Sequence, residues 1–308
     1  MKKSIIVVGS INTDLVMRVD HLPAPGETIL SADIQTAGGG KGANQAVAAA
    51  RLGGNVSLIG RVGNDVYADF HLQSFTHESI NTEAVAHCSD VPTGTAIILV
   101  DKHGQNSIVV SPGANALVKN PDVENAKILF KPGNILILQM EIPLETVFFA
   151  AQQAKECGMQ VILNPAPAQQ LPAALLKNTD VLVLNETEME IIGGRTMNDE
   201  GKLLNSIKSL LDDGVKMVIL TLGAQGARFF SSHQQFYQPA FKVQTVDTTA
   251  AGDAFVGAFA VALSEDLSTT ESVEFACAAG ALAATQLGAQ PSLPTLETIN
   301  RFLVERKN

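Results

Sequence analysis

The sequence predicts an α/β fold: a doubly wound, mostly parallel sheet with helices on both faces, plus a small β-sheet lid. Three observations carry this. Short apolar runs at residues 135–140, 161–163, 181–184 and 217–221 alternate with helical segments such as 144–157 and 202–212. Apolar strands separated by helices read as βαβ units, whose strands are covered on both faces and so show no polar alternation. Two extended stretches of a different character, within residues 10–38 and 92–112, lie far apart in sequence and pair most simply with each other as a flap over the core. Finally, 46% hydrophobic and 17% charged residues over 308 positions supply one large core and exclude extensive disorder. The whole chain, 1–308, is therefore expected to be a single α/β domain carrying this lid.

Taken in order, residues 4–9 form a buried strand. The turn signal Pro23-Ala24-Pro25-Gly26 precedes an extended stretch from Thr28 to Ala37, which Gly38-Gly39-Gly40 stops. Ala43 to Leu52 is alanine-rich and helical, ended by Gly53-Gly54, and Val56 to Gly60 is a strand. Thr95–Val100 and Ser107–Val110 flank His103-Gly104-Gln105 as a hairpin. From Gly252 to about Leu287 the chain is alanine-rich and helical, and no internal repeat or linker interrupts it.

A net charge of −10 argues against a nucleic-acid groove or an anionic membrane surface as partner. Cys88, Cys157 and Cys277 are isolated and odd in number, which suits reduced thiols rather than disulfides or zinc. The run Ile5-Ile6-Val7-Val8 is too short for a signal-peptide core, and no stretch approaches a membrane span, so a cytoplasmic location is expected.

Three local signals point to chemistry. In Val246 through Phe255, small residues lead straight into a helix near Gly252, where unpaired N–H groups and the helix dipole can hold an anion beside Asp253. A carboxylate in a first helical turn also has a plain reading as a complement to the dipole. The run Gly38-Gly39-Gly40-Lys41-Gly42-Ala43-Asn44 carries a backbone-entropy cost that close approach of a ligand would offset, although one glycine serves an ordinary turn. It is not a P-loop, because Gly42 rather than Ser or Thr follows the lysine, and Gly9-Ser10-Ile11 does not continue as a dinucleotide fingerprint. In Asn185-Glu186-Thr187-Glu188, Asn185 can cap a helix and Glu188 can complete a capping box.

In this order the signals resemble the ribokinase-type carbohydrate kinases over essentially the whole chain. The family's amino-terminal signature is matched by Gly39 through Ala46, with Gly53 and Gly63 at the expected offsets, and its carboxy-terminal signature by Asp247 through Ala260. Gly9 through Asp14, Pro25-Gly26-Glu27-Thr28, Asn164-Pro165-Ala166-Pro167 and Gly288 through Ser292 are most similar to the members that phosphorylate ribose. The resemblance implies Asp253 as general base on the sugar's 5-hydroxyl, with an anion hole from the N–H groups of Ala250, Ala251 and Gly252. It implies that Asn12, Thr13, Asp14, Gly40, Lys41, Gly42, Ala43, Asn44 and Glu141 hold the sugar. ATP would lie along Asn185 and the loop Thr221, Leu222, Gly223, Ala224, Gln225 and Gly226, beside Gly252 and Asp253. Glu188 would help to place Mg²⁺ through water, and potassium would take Asp247 with Thr249, Ala283, Gln286, Gly288 and Ser292. Family members often carry histidine where Cys277 stands beside the adenine. The family is also dimeric through its lid, so a homodimer is expected.

Composition narrows the substrate. No aromatic residue occurs between Met1 and Val66 or between Ala84 and Leu129, which makes a nucleoside base a poor fit. The basic groups there are chiefly Arg18, Lys41 and Lys102, too few for a clamp on a sugar phosphate. A small neutral sugar remains: ribose first, with deoxyribose or fructose as alternatives and a catalytically silent sugar sensor as the rival class.

Overall fold

The alternation of apolar runs and helices is realised in a computed structural model that describes residues 3–193 and 199–307. From β1 (Ser4–Val8) the chain passes to β2 (Asn12–Arg18), β3 (Ile34–Gly39) and helix α1 (Lys41–Arg51). Next come β4 (Asn55–Gly63), α2 (Val66–His77), β5 (Val85–Cys88), β6 (Gly94–Val100) and β7 (Asn106–Ser111). The middle alternates through α3 (Asn120–Asn125), β8 (Ile135–Leu138), α4 (Leu144–Glu156), β9 (Gln160–Leu163) and α5 (Ala173–Lys177). It continues through β10 (Val181–Asn185), α6 (Glu186–Gly193), α7 (Glu200–Asp212) and β11 (Met217–Thr221). A hairpin, β12 (Gly226–Ser231) and β13 (Gln235–Pro239), precedes α8 (Ala251–Ser264), α9 (Thr269–Ala283) and α10 (Leu296–Lys307).

Among the described residues the large sheet has nine strands in the order β13-β12-β11-β10-β9-β8-β1-β4-β5. The seven from β11 to β5 are parallel, and β12 and β13 extend one edge antiparallel. Winding runs one way from β1 to β5 and the other way from β8 to β11, so the topological switch lies between β1 and β8. Side-chain alternation splits the core between the two faces. Ile5 and Val7 pack with Val47 and Phe259 on one side, and Ile6 and Val8 with Leu136, Leu138 and Val147 on the other. That is why β1 reads as an unbroken apolar run: both faces are buried.

A separate four-stranded sheet has the order β3-β2-β6-β7, with β2 and β6 parallel and the outer pairs antiparallel. The predicted extended stretch from Thr28 begins instead at Ile34, and Gly38 and Gly39 continue it rather than stop it. They pair with Thr13 and Asn12, and the chain turns at Gly40, whose φ of 84° is left-handed. The hairpin at 103–105 is present, with Asp101 Oδ1 accepting from the amides of His103 and Gln105 at 2.8 and 2.9 Å. Helix α2, strand β5 and the β12–β13 hairpin have no counterpart in the sequence reading.

Candidate active site

Ligands of doubly wound sheets bind outside the carboxyl ends of the strands, at the switch point. Ser10 and Glu141 follow β1 and β8 there, and the Ser10 hydroxyl donates to Glu141 Oε2 at 2.6 Å. The same oxygen accepts the amide of Lys41 at 3.0 Å, so Glu141 caps α1 from another strand and keeps Oε1 free of that duty. Helix α1 can come this close only because its contact residues lack side chains. A Cβ on Gly42 would lie 2.5 Å from the Ser10 amide, and one on Gly9 2.8 Å from Gly42 Cα. Gly39 is likewise required by the Asp14 carboxylate, which lies 2.2 Å from where its Cβ would be. Much of the glycine cluster thus serves protein-to-protein approach.

Asp253 stands in the first turn of α8 and is 6% exposed. Its Oδ2 accepts from Asn44 Nδ2 at 3.0 Å and its Oδ1 from Gln45 Nε2 at 2.9 Å. Gln45 is held in that orientation by Gln139, whose Nε2 donates to Gln45 Oε1 at 2.7 Å. Asn44 Oδ1 is buried without a partner among the described residues, an acceptor left for something else. Burial is the largest influence on Asp253 and raises its pKa against the opposing pull of Lys41, Asn44 and Gln45. Lys41 answers with a raised pKa, for which the Asp253 charge is the main cause, with Glu141, Glu188 and Asp14 adding to it. Burial, then the charges of Glu141 and Asp253, push Asp14 up to about 7. Asp14, Lys41, Asn44, Glu141 and Asp253, drawn from four segments of the chain, therefore converge, with Asn12 two positions from Asp14 on the same face of β2. Thr13 does not join them: strand alternation turns it to the opposite face of β2, where its hydroxyl meets buried His71 Nε2 at 2.9 Å.

The start of α8 has the features of an anion cradle. Ala250 is left-handed at φ 59°, and Ala251 spends its amide on the Thr248 carbonyl at 3.2 Å. The amides of Gly252 and Asp253 have no partner among the described residues, and a Cβ on Gly252 would meet nothing within 4 Å. Farther along the same sheet edge, Asn185 is in register with Thr221. The capping box read from sequence is present: Asn185 Oδ1 accepts the Glu188 amide and Glu188 Oε2 the Asn185 amide, both at 2.8 Å. Burial raises the pKa of Glu188. Residues 223–225 form a tight turn between β11 and β12, with the Leu222 amide bonded to the Gly226 carbonyl at 2.7 Å. Cys277 is 8% exposed on α9, and burial pushes its thiol up to about 12, so it contributes packing rather than a reactive or charged group.

Asp247 gathers its own loop. Its Oδ1 accepts from the amide and hydroxyl of Thr249 at 2.9 and 2.6 Å, and its Oδ2 from the Gly288 amide at 2.9 Å. Burial alone would raise its pKa, but these bonds together hold it below the usual carboxylate range. The Ser292 hydroxyl donates to the Ala289 carbonyl at 2.8 Å, and the Gln286 amide to Ala283. Sequence reasoning missed Gln45, Gln139 and Ser10 as parts of the site. Gln45 lies inside the matched amino-terminal signature, one residue beyond the run singled out.

At the carboxyl ends of the strands by the switch point, a buried carboxylate thus stands in the first turn of a helix whose leading amides have no partner among the described residues. The chain belongs to the pfkB family of carbohydrate kinases, whose family model matches residues 2–296. It is 42% identical to the ribokinase of Haemophilus influenzae over 303 residues, 98% of this chain and 99% of that protein. It is 36% identical to a deoxyribokinase of Salmonella typhi over 300 residues, 97% of this chain and 98% of that protein. A solved structure of Arabidopsis thaliana ribokinase complexed with ribose and ATP superposes with a TM-score of 0.90 at 33% identity, covering 98% of this chain and 99% of that one.

Proposed function

We propose that the protein transfers the terminal phosphoryl group of ATP to the 5-hydroxyl of ribose. The observation that carries this is Asp253: a desolvated carboxylate held by two side-chain amides, one helical residue from an unpaired Gly252 amide. As general base it takes the hydroxyl proton late, since phosphoryl transfer asks mostly for alignment and charge stabilisation. The free amides of Gly252 and Asp253 stabilise the anionic transferring group, with Ala250 and Ala251 shaping the turn. Asp14, Glu141 and Asn44 Oδ1 accept from the sugar's remaining hydroxyls, and Lys41 balances the carboxylates.

The nucleotide site fits the residues present: Gly252 leaves open space where a Cβ would intrude, and Asn185 and the Thr221–Gly226 segment line the same strand ends. Among the described residues no group of three or more His, Cys, Asp or Glu could hold a metal. Mg²⁺ suits such a site, because it commonly binds one carboxylate, here Glu188 through water, together with substrate phosphates. Asp247 and the carbonyls of Thr249, Ala283, Gln286, Gly288 and Ser292 would supply an all-oxygen set, which suits a hard cation such as potassium. When bound, these groups supply the phosphoryl donor and neutralise its charge.

The small sheet acts as a lid that keeps water from the reacting phosphate. Ile34, Ile97, Ile108 and Val110 of this sheet are exposed, on both of its faces, and a second copy covers part of this surface in a homodimer. Among the described residues no helix is long and apolar enough to cross a membrane, and we place the enzyme in the cytoplasm. Deoxyribose is the second reading, supported by the deoxyribokinase relative. A site built to bond a hydroxyl disfavours the analogue lacking it.

An ATP-consumption assay over ribose, deoxyribose, fructose and adenosine tests the reading, with ribose expected to give the highest kcat/KM. A preference for fructose refutes the substrate, and no turnover with any sugar favours a sensor. Asp253→Asn is expected to lower kcat by about 10²–10⁴-fold while ribose binding changes only a few-fold. Wild-type kcat in that variant overturns the assignment.

A further inference from the structure

Asn115 lies in the short 3-10 turn Gly113–Leu117 after β7 and is 1% exposed. Its side chain treats Ile11 as a neighbouring strand would. Oδ1 accepts the Ile11 amide at 2.9 Å, and Nδ2 donates to the Ile11 carbonyl at 3.0 Å. The other Nδ2 proton goes to Asn12 Oδ1 at 2.7 Å. These bonds settle the orientation of both amides. An N–H must meet the oxygen of Asn115 and a C=O its nitrogen, so Asn12 has to turn Oδ1 toward Asn115 and Nδ2 away. Asn12 Nδ2 makes no hydrogen bond among the described residues and is not sealed from solvent. Two positions along β2, on the same face, stands Asp14.

The neighbouring strand is shaped for this pair. A Cβ on Gly94, which is in register with Asn12, would fall 2.2 Å from Asn115 Nδ2 and 2.3 Å from Asn12 Oδ1. Any side chain at 94 forces the two amides apart.

We propose that Asn115 is a positioning residue that locks Asn12 with its N–H₂ group toward the sugar, making Asn12 a hydrogen-bond donor among side chains that, Lys41 apart, are acceptors. The inference rests on the sugar-kinase reading of the site. Asp14, Glu141, Asp253 and Asn44 Oδ1 all accept, and Lys41 is the other donor among the converging groups. A hydroxyl between Asn12 and Asp14 accepts from the amide and donates to the carboxylate. Only a group that does both satisfies the two at once, so the arrangement selects a hydroxyl over a hydrogen or a carbonyl at that carbon.

The test is Asn115→Asp, nearly isosteric, which keeps the acceptor for the Ile11 amide but turns an oxygen on the Ile11 carbonyl and on Asn12 Oδ1. Asn12 then rotates and presents its oxygen to the sugar. Ribose KM is expected to rise about tenfold or more, with ATP KM and saturating kcat within about threefold. On an Asn12→Ala background the same change should move ribose KM less than about twofold, because its route is gone. Asn12→Asp, still an acceptor for Asn115, should weaken ribose at least as much as Asn12→Ala. Should Asn115→Asp melt below assay temperature, Gly94→Ala, which presses the same pair apart, is measured on both backgrounds with the same expectation. Equal effects with and without Asn12, or a wild-type KM in Asn12→Asp, overturn the proposal. If Asn12→Ala itself leaves ribose KM unchanged, the failure lies with the sugar-site reading, and the proposal falls with it.

Discussion

Replacing Asp14 by Asn should make the protein more stable and a poorer enzyme, by amounts set by one carboxylate. Asp14 is buried beside Glu141 and Asp253, and its pKa rises from 3.8 to about 7 in the folded state. A folded pKa above the unfolded one means that the folded state resists ionisation. The penalty is absent below the unfolded pKa, grows as pH rises from 3.8, and is complete above about 7. At 1.36 kcal/mol per unit, removing it stabilises the fold by ~2 kcal/mol at pH 5 and by at most ~4 kcal/mol at pH 8. For a chain of this size the upper value corresponds to a rise in Tm of roughly 6 °C at pH 8 and about half that at pH 5. Asn has the same shape, so it still fits against Gly39. Function moves the other way. Losing a charged acceptor costs about 1.5–3 kcal/mol of hydrogen bonding, or a ribose KM roughly 10–100-fold higher. The wild-type kcat/KM should climb with pH toward a plateau above about 7 as Asp14 ionises, and the variant should keep only the limb that belongs to Asp253, whose pKa burial also raises. Thermal melts at pH 5 and 8 with kinetics across the same range are the assay. A variant whose stability gain does not grow with pH would refute the argument that burial burdens this carboxylate.

Two further outcomes follow from the geometry. Gly42→Ala puts a Cβ within 2.5–2.7 Å of rigid backbone at Ser10 and Gly9, so chemical denaturation should show a loss of about 1–3 kcal/mol and kcat/KM should fall as α1 is displaced. Asp247→Asn should abolish activation by potassium and any potassium-dependent rise in Tm, leaving activity without added potassium near that of the wild type; melts and kinetics with potassium or tetramethylammonium chloride check it.

How much could be read in advance follows physical locality. The unbroken apolar runs of β1, β8, β10 and β11 were legible because burial on both faces erases polar alternation, and the capping box at Asn185 and Glu188 was legible because it is a three-residue spacing. The hairpin β12–β13 was not, since an antiparallel edge of mixed burial imitates a loop. Thr13 was placed with its neighbours by adjacency, whereas a strand sends adjacent residues to opposite faces.

The sequence by itself determined the class of architecture, the helix start that can hold an anion, and the carboxylate one residue beyond it, because each is written in residue types a few positions apart. Only the tertiary structure decided what surrounds that carboxylate. Asn44 and Gln45 meet Asp253 across more than two hundred positions of chain, and Asn115 reaches Ile11 and Asn12 across about one hundred. Hydrogen bonding and desolvation depend on distance through space, and in a doubly wound fold the strand ends that lie side by side are far apart along the chain.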